Sequence, residues 1–425
     1  MKFKKYDHGK YNLHVIEVDT FRSCGIEIIF RSLFDSKKAA AYSLLCDILT
    51  DQCKKYPTRK YISRHMEESY ILDFYGSFNI NGKVMSTSIV CDYVDPKYIK
   101  DKNYLEKTVE FVFDVITNPI VTDNGFDEKT FKMIKERHIK SLMGLDGNNR
   151  FLSSDNAQKN FTKNPAIRFH LHDMIDFINN LTKEELYSYY QDLIKESSVD
   201  IFVSGSTDAI KVNEIIKKYY SINNSNYVKY NHLTYAKNRF IPKTKFKKSS
   251  FKQSSLVMIY NVNCLTMFER EFVMPYYLNI INNNGLSSKL YQNLREKNSL
   301  CYNVNTTYFN SGNYLVIKST LNVGKERKAI RLVKKAVKDM KNNITDKEFV
   351  GAYYNYQSSL KGMLDSLSAI SRLYFNIYYG GFSDYNTKLK SFKKVTLSDV
   401  YKLANKLRLN TVYVLKGDIN ERNQD

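Results

Sequence analysis

Two strand-like runs, residues 11–19 and 24–32, open the chain, with apolar side chains recurring at about every second position. The period then lengthens. Over residues 37–55 the apolar positions Ala41, Leu44, Leu45, Ile48 and Leu49 fall three and four apart, which predicts a helix. A second helical stretch over 59–74 is expected to end at Gly76. Residues 77–94 read as a β-hairpin turning on Asn81-Gly82, a dipeptide that accepts two positive φ values. Helices are predicted over 105–117, stopped by Asn118-Pro119, and over 127–145, while 150–180 reads as irregular or helical. Thr182 followed by Glu185 is a capping box for a helix over 184–198. A strand over 199–204 and a helix over 209–220 complete the first half.

Between 222 and 252 the periodicity stops. Asn223-Asn224-Ser225-Asn226, scattered tyrosines and the basic run 242–252 read as a linker, in which the lysines form a solvated connector ahead of the alternative, a patch that grips a partner. The earlier order then returns: a strand over 255–262, a helix over 268–282, and the stretch 285–302, read as loop, amphipathic helix, break and strand entry. A hairpin over 302–322 turns at Ser311-Gly312-Asn313, and a helix over 325–342 shows Ala329, Leu332, Val333 and Ala336 on one face. Thr345 and Glu348 cap a helical region reaching about residue 379, broken by Gly380-Gly381. A helix over 396–409 and a strand over 411–415 follow.

The closing units of the halves correspond. Thr182-x-x-Glu185-x-Tyr187 and the run 199–208 are answered, about 213 residues on, by Thr396-x-x-Asp399-x-Tyr401 and the run 411–418. The pattern predicts a duplicated α+β unit, each half a sheet of several strands covered by helices. The expected division is 1–221, a linker over 222–252, and 253–425.

Composition narrows the function classes. At 425 residues with 43% apolar side chains, the chain can bury more than one core. No apolar run approaches the roughly 18 residues of a membrane span, and no apolar segment follows the basic start, so a cytoplasmic location is expected. The six cysteines show no CxxC pairing and read as reduced thiols. The net charge of +21 is spread along the whole chain and leans to lysine. With Asn, Tyr and Ile abundant too, that is what an A/T-rich coding bias would give; it argues against a dedicated nucleic-acid surface and leaves a generally basic surface that prefers acidic partners as the open alternative.

Three places carry a resemblance to a known family. They are Leu72-Asp73-Phe74-Tyr75-Gly76 before the first hairpin, Lys135-Glu136-Arg137 on the helix after it, and Gly285-Leu286-Ser287-Ser288 running on to Arg295 and Tyr302. Together with the repeat they resemble the short form of the M16 (insulinase/pitrilysin-type) metallopeptidases. The resemblance implies two α/β-roll halves forming one half-clamshell, the metallohydrolase fold of the LuxS/MPP type. That family's zinc motif, His-x-x-Glu-His on the first helix, pairs two imidazole ligands with a base that deprotonates metal-bound water. The resemblance sets the motif on Tyr42, Leu45 and Cys46, where both histidines and the base are replaced. A third ligand is expected near Leu142 or Met143, yet no Glu occurs between Glu136 and Glu184. His65-Met66-Glu67-Glu68-Ser69 lies on the second helical stretch and lacks a third ligand, so it reads as an exposed helix turn. His170-Leu171-His172 is a two-imidazole coincidence.

What the resemblance implies is a chain with no catalytic residue and no cofactor of its own, inactive alone. Zinc belongs to an M16 homologue with which it forms a heterodimer. Arg295 and Tyr302, with Gly285, Ser287 and Ser288, would hold a peptide substrate, and the first-half hairpin edge would pair with it as an added strand. Two alternatives stay open: a subunit for maturation of a ribosomally made modified peptide, and a non-catalytic peptide-binding clamp.

Overall fold

The computed structural model describes residues 1–283 and 285–418, which group into two compact units. Among the described residues the first comprises 1–143 and 169–232, the second 144–168, 233–283 and 285–418. This grouping differs from a contiguous division, because 144–168 packs with the second unit and 222–232 with the first. The mixed α+β class is present in both units.

In the first unit the strands β1 (Lys2–Asp7), β2 (Tyr11–Glu17), β3 (Ser23–Leu33), β4 (Ile71–Asn81) and β5 (Val84–Val94) join the Ser198–Gly205 strand. The six-stranded order is β1, β2, Ser198–Gly205, β3, β5, β4. Only the contact of β2 with Ser198–Gly205 is parallel. Helices α1 (Ser36–Leu49), α2 (Arg59–Glu68), α3 (Tyr104–Thr117) and α4 (Glu128–Met143) belong to this unit. Asp35 caps α1 by accepting from the Lys38 amide. The second helix is shorter than expected: it stops at Glu68, and the chain turns at Tyr70 (φ 50°) into β4, which begins at Ile71. The hairpin turns one residue later than expected, on Gly82-Lys83: Asn81 still pairs with Val84 in the ladder, and only Gly82 takes a positive φ, 63°.

One face of this sheet is apolar. Leu13, Ile201, Ile28 and Ile89 are neighbours across the strands and fully buried. The opposite face carries a buried polar cluster. Asp200 accepts from Arg31 Nε at 3.0 Å and lies 2.8 Å from Arg31 Nη2. His14 Nε2 is 3.1 Å from Asp200 Oδ1, and the Tyr227 hydroxyl meets both carboxylate oxygens at 3.2 and 3.1 Å.

The second unit repeats the layout. Its sheet runs Cys301–Phe309, Tyr314–Leu321, Ser254–Val262, Leu407–Lys416, Lys243–Lys248. Read from the hairpin edge, this matches β4, β5, β3, Ser198–Gly205, β2, including the parallel pairing of the fifth strand. The expected linker therefore contains the counterpart of β2. Lys243–Lys248 is fully exposed along its length and holds its place by backbone pairing to Thr411–Lys416, so it leaves no apolar alternation in the sequence. Lysines on such an edge also disfavour pairing with another sheet.

The stretch expected to be irregular or helical begins with α5 (Asn149–Phe161), capped by the Asn148 side chain. Its Ser153 hydroxyl meets Ser255 at 2.7 Å, and Arg150 Nε donates to Thr320 Oγ1 at 3.2 Å. Ala157 and Phe161 join Val257, Ile259, Val316 and Tyr413 on one face of the second sheet. The other face carries the main core of this unit, built from Met258, Tyr276, Tyr277, Leu290, Leu294, Val333 and Leu403.

Candidate functional site

Helix α1 turns all three positions of the expected zinc motif inward: Tyr42, Leu45 and Cys46 are buried. The Cys46 thiol donates to the Tyr42 carbonyl at 3.3 Å. Burial, reinforced by Asp47, pushes this thiol well above its ordinary pKa, so it stays protonated. Burial, with Asp192, Glu196 and Asp35 nearby, does the same to the Tyr42 phenol. Leu45 carries no proton to transfer. The space beside them is closed by β4: a Cβ on Gly76 would lie 2.5 Å from the Cys46 carbonyl oxygen and 2.7 Å from its Cα. Only glycine lets the strand pass the helix so closely.

At the end of α4, Leu142 is buried and Met143 exposed, and neither offers a ligand. The residue that α4 sets against α1 is His138, whose Nδ1 is 2.9 Å from Asp47 Oδ2 and whose Nε2 is 3.3 Å from Ser43 Oγ. Sequence reasoning missed this contact. Its one signal was Ser43 and Asp47 a helical turn apart, which many solvated helices show. The arrangement has the residue types of a hydrolytic triad without its chemistry. The Ser43 proton goes to the Ala40 carbonyl at 2.7 Å, and mid-helix amides are already used, leaving no oxyanion site. From the charged run of α4, Lys135 Nζ donates to the carbonyls of Asn179 and Leu181, both at 3.0 Å.

The remaining histidines are placed otherwise. His65 lies against the rings of Tyr56 and Phe111, with centroids 4.6 and 4.7 Å away, and Glu68 pairs with Arg64. His170 and His172 flank the start of a single 3₁₀ turn, Leu171–Met174. Among the described residues no group of three or more His, Cys, Asp or Glu side chains is placed to hold a metal ion. The variant Tyr42→His/Leu45→Glu/Cys46→His is therefore expected to bind no stoichiometric zinc and to hydrolyse no peptide, since a third carboxylate ligand is missing. Metal analysis and a peptide-cleavage assay check it; one zinc per chain with cleavage would show a ligand elsewhere.

The Gly285–Tyr302 stretch is built with more detail than its sequence suggests. Gly285 takes φ 53° and opens a 3₁₀ turn. The Ser288 hydroxyl donates back to the Gly285 carbonyl at 2.9 Å, and Ser288 is buried, so these two hold the loop, while Ser287 is exposed. The helix starts at Lys289 and widens over Gln292–Glu296 into a π-turn, with the Lys297 amide reaching the Gln292 carbonyl. Ser299, at φ 48°, reverses the chain, and the Leu300 amide returns to the Leu294 carbonyl at 2.8 Å.

Tyr302 is the extra residue of a β-bulge: Cys301 pairs with Leu321 and Asn303 with Thr320, so Tyr302 has no partner across the ladder. Its side chain is 75% exposed. The Arg295 guanidinium lies 5.0 Å from the Tyr302 ring and 4.9 Å from the ring of Tyr291, and Nη1 donates to the Tyr302 carbonyl at 3.2 Å. Tyr291, one turn before Arg295, is a residue the sequence reading did not single out. The two rings fix the cation in orientation, and the Glu296 carboxylate lies 3.8 Å from its Nε; the planar N–H fork suits a carboxylate or carbonyl. The equivalent edge strand of the first unit has a bulge at the same place, around Leu72, with no tyrosine there.

Residues 180–352 match the family model described as the peptidase M16 inactive domain. The chain is 22% identical over 423 residues to the probable inactive metalloprotease YmfF of Bacillus subtilis (strain 168), covering 97% of both chains. Among solved structures it resembles a conserved protein from Enterococcus faecalis V583, with a TM-score of 0.90 and 19% identity over 99% of each chain. It also resembles a peptidase M16 inactive domain from Pseudomonas fluorescens, with a TM-score of 0.78 and 13% identity over the full length of both. The chain thus shares the fold of these solved structures along its length and matches the M16 inactive-domain model over 180–352, and the metalloprotease it matches over nearly all its residues is described as a probable inactive one.

Proposed function

We propose that this protein is the zinc-less subunit of a heterodimeric M16-type peptidase, acting in the cytoplasm, and that it positions a peptide for cleavage by a zinc-bearing partner. One observation carries the reading. Arg295 is held between two tyrosine rings beside a bulged, outward-turned Tyr302, whereas the buried Tyr42, Leu45 and Cys46 provide no metal ligand set or base. In this arrangement Arg295 takes a peptide carbonyl or carboxylate and the Tyr302 hydroxyl adds a directed donor. Strand β4 is the outermost of its sheet, so its free backbone edge accepts an extended peptide by main-chain pairing. The match to a probable inactive metalloprotease supports the absence of independent activity.

Reconstitution tests the proposal. Neither this chain nor a zinc-bearing M16 homologue lacking its own Arg/Tyr pair is expected to cleave a peptide library, and the mixture is expected to cleave it. Peptide binding with no cleavage under any pairing would instead support a non-catalytic clamp and defeat the heterodimer reading.

A further inference from the structure

The helix Glu326–Asp339 has an unusual outer face. Arg327, Lys328, Arg331, Lys334, Lys335 and Lys338 are all exposed, at spacings of one, three and four residues that put them on one side. Among the described residues none of them forms an ion pair with a carboxylate. Elsewhere in this protein helix faces mix the signs, as in Arg64–Glu68, Glu128–Lys132 and Asp155–Lys159. Here the close pairs 327/331, 328/331, 331/334, 331/335, 334/338 and 335/338 are all repulsive. Two cations also sit in the first turn, at the positive end of the helix dipole. The acid of that turn, Glu326, faces inward and accepts from Ser254 Oγ at 2.6 Å and from the Gly324 amide at 3.0 Å.

The helix packs beside the segment that carries Arg295. Ala329, Val333 and Ala336 on its inner side share a core with Leu290 and Leu294. Its beginning is tied to the strand entry, where the Asn322 amide donates to the Leu300 carbonyl at 3.1 Å. Beyond its end, Lys289 Nζ donates to the Asn343 carbonyl at 2.7 Å. The helix thus runs antiparallel to the Lys289–Glu296 helix, and the cationic row leads away from the Arg295/Tyr302 end.

We infer that this row docks an acidic stretch of extended polypeptide, so that the peptide held at Arg295 is one with a run of Asp or Glu beside the segment held there. This rests on the reading of Arg295 and Tyr302 as a peptide site. From Arg327 to Lys338 the row spans about 16 Å, which matches about five extended residues. The apolar side of the helix is buried in the core, so it has nothing to insert into a lipid surface. The row contains no exposed aromatic side chain on which bases would stack.

The test is fluorescence anisotropy on the isolated full-length chain, with two labelled peptides that share a neutral segment and differ in a tail of five Glu or five Gln. The acidic peptide is expected to bind at least tenfold more tightly at 50 mM salt, with most of that advantage lost at 300 mM. Arg331→Glu/Lys334→Glu/Lys335→Glu/Lys338→Glu is expected to abolish the preference. Equal binding of the two peptides would overturn the inference without recourse to the variant, as would a preference that survives the variant in folded form. Tighter, face-dependent binding of a single-stranded oligonucleotide or of phosphatidylserine vesicles would overturn the assignment to polypeptide. No partner enters this measurement. An acidic preference without cleavage in any pairing leaves the docking face standing and defeats the heterodimer; cleavage by the pair without the preference does the reverse.

Discussion

Asp200→Ala is expected to destabilise the first unit by about 3–5 kcal/mol, because it strands a buried cation beside a buried imidazole. Arg31 and His14 are almost fully inaccessible, and Asp200 is the carboxylate that both contact. Urea unfolding should show the midpoint falling sharply in the single variant. A shape-filling replacement of the ion pair, Arg31→Met/Asp200→Leu, should recover much of the loss, since a buried pair costs desolvation on both sides. A single variant as stable as the parent would mean that the cluster carries little net energy. His14 of this cluster, together with His65 elsewhere in the unit, predicts a pH dependence. Burial holds the His14 pKa below its ordinary value, opposed by the Asp200 contact, and burial with Lys55 nearby does so for His65. Groups depressed in this direction stabilise the fold above the unfolded pKa of about 6.5 and lose that contribution as pH falls through the folded values. The urea midpoint should therefore fall between pH 7.5 and 5.5; a flat profile would contradict it.

Arg295→Ala is expected to lower turnover by the reconstituted pair at least about a hundredfold, the loss typical of removing one pre-set donor from a reacting carbonyl. Dimer formation should be unaffected. Arg295→Lys should restore little, because an ammonium lacks the planar fork and stacks poorly between Tyr291 and Tyr302. Tyr302→Phe keeps the ring against the guanidinium and removes only the hydroxyl, so its loss should be smaller. Unchanged turnover in the alanine variant, with the pair still assembled, would remove Arg295 from the substrate site.

Features written in short stretches of sequence were legible before any fold was known. The capping boxes at Thr182/Glu185, Thr345/Glu348 and Thr396/Asp399 all form as expected, because cap and partner lie three residues apart. The hairpin near Gly82, one residue off the expected register, and the helix stop at Gly381 (φ 65°) are equally local. The duplication was legible because both halves use the same caps and strand starts. Residues 243–248 escaped notice since an exposed edge strand is held by its backbone, which leaves no mark on side-chain pattern. Strand β1 was missed for the same reason, with four of its six residues exposed.

The sequence by itself determined the α+β class, the two-fold repeat, and the absence of His and Glu at Tyr42, Leu45 and Cys46, where the resemblance sets the zinc motif, because each is a matter of local pattern or residue identity. Tertiary structure alone decided the rest. It brought His14 to Asp200 across 186 residues, assigned α5 to the second unit's sheet, and closed Gly76 over Cys46. It also set Tyr302 out of register so that ring and carbonyl both meet Arg295. These depend on which strand lies beside which and in what register, and register is an outcome of packing the whole sheet.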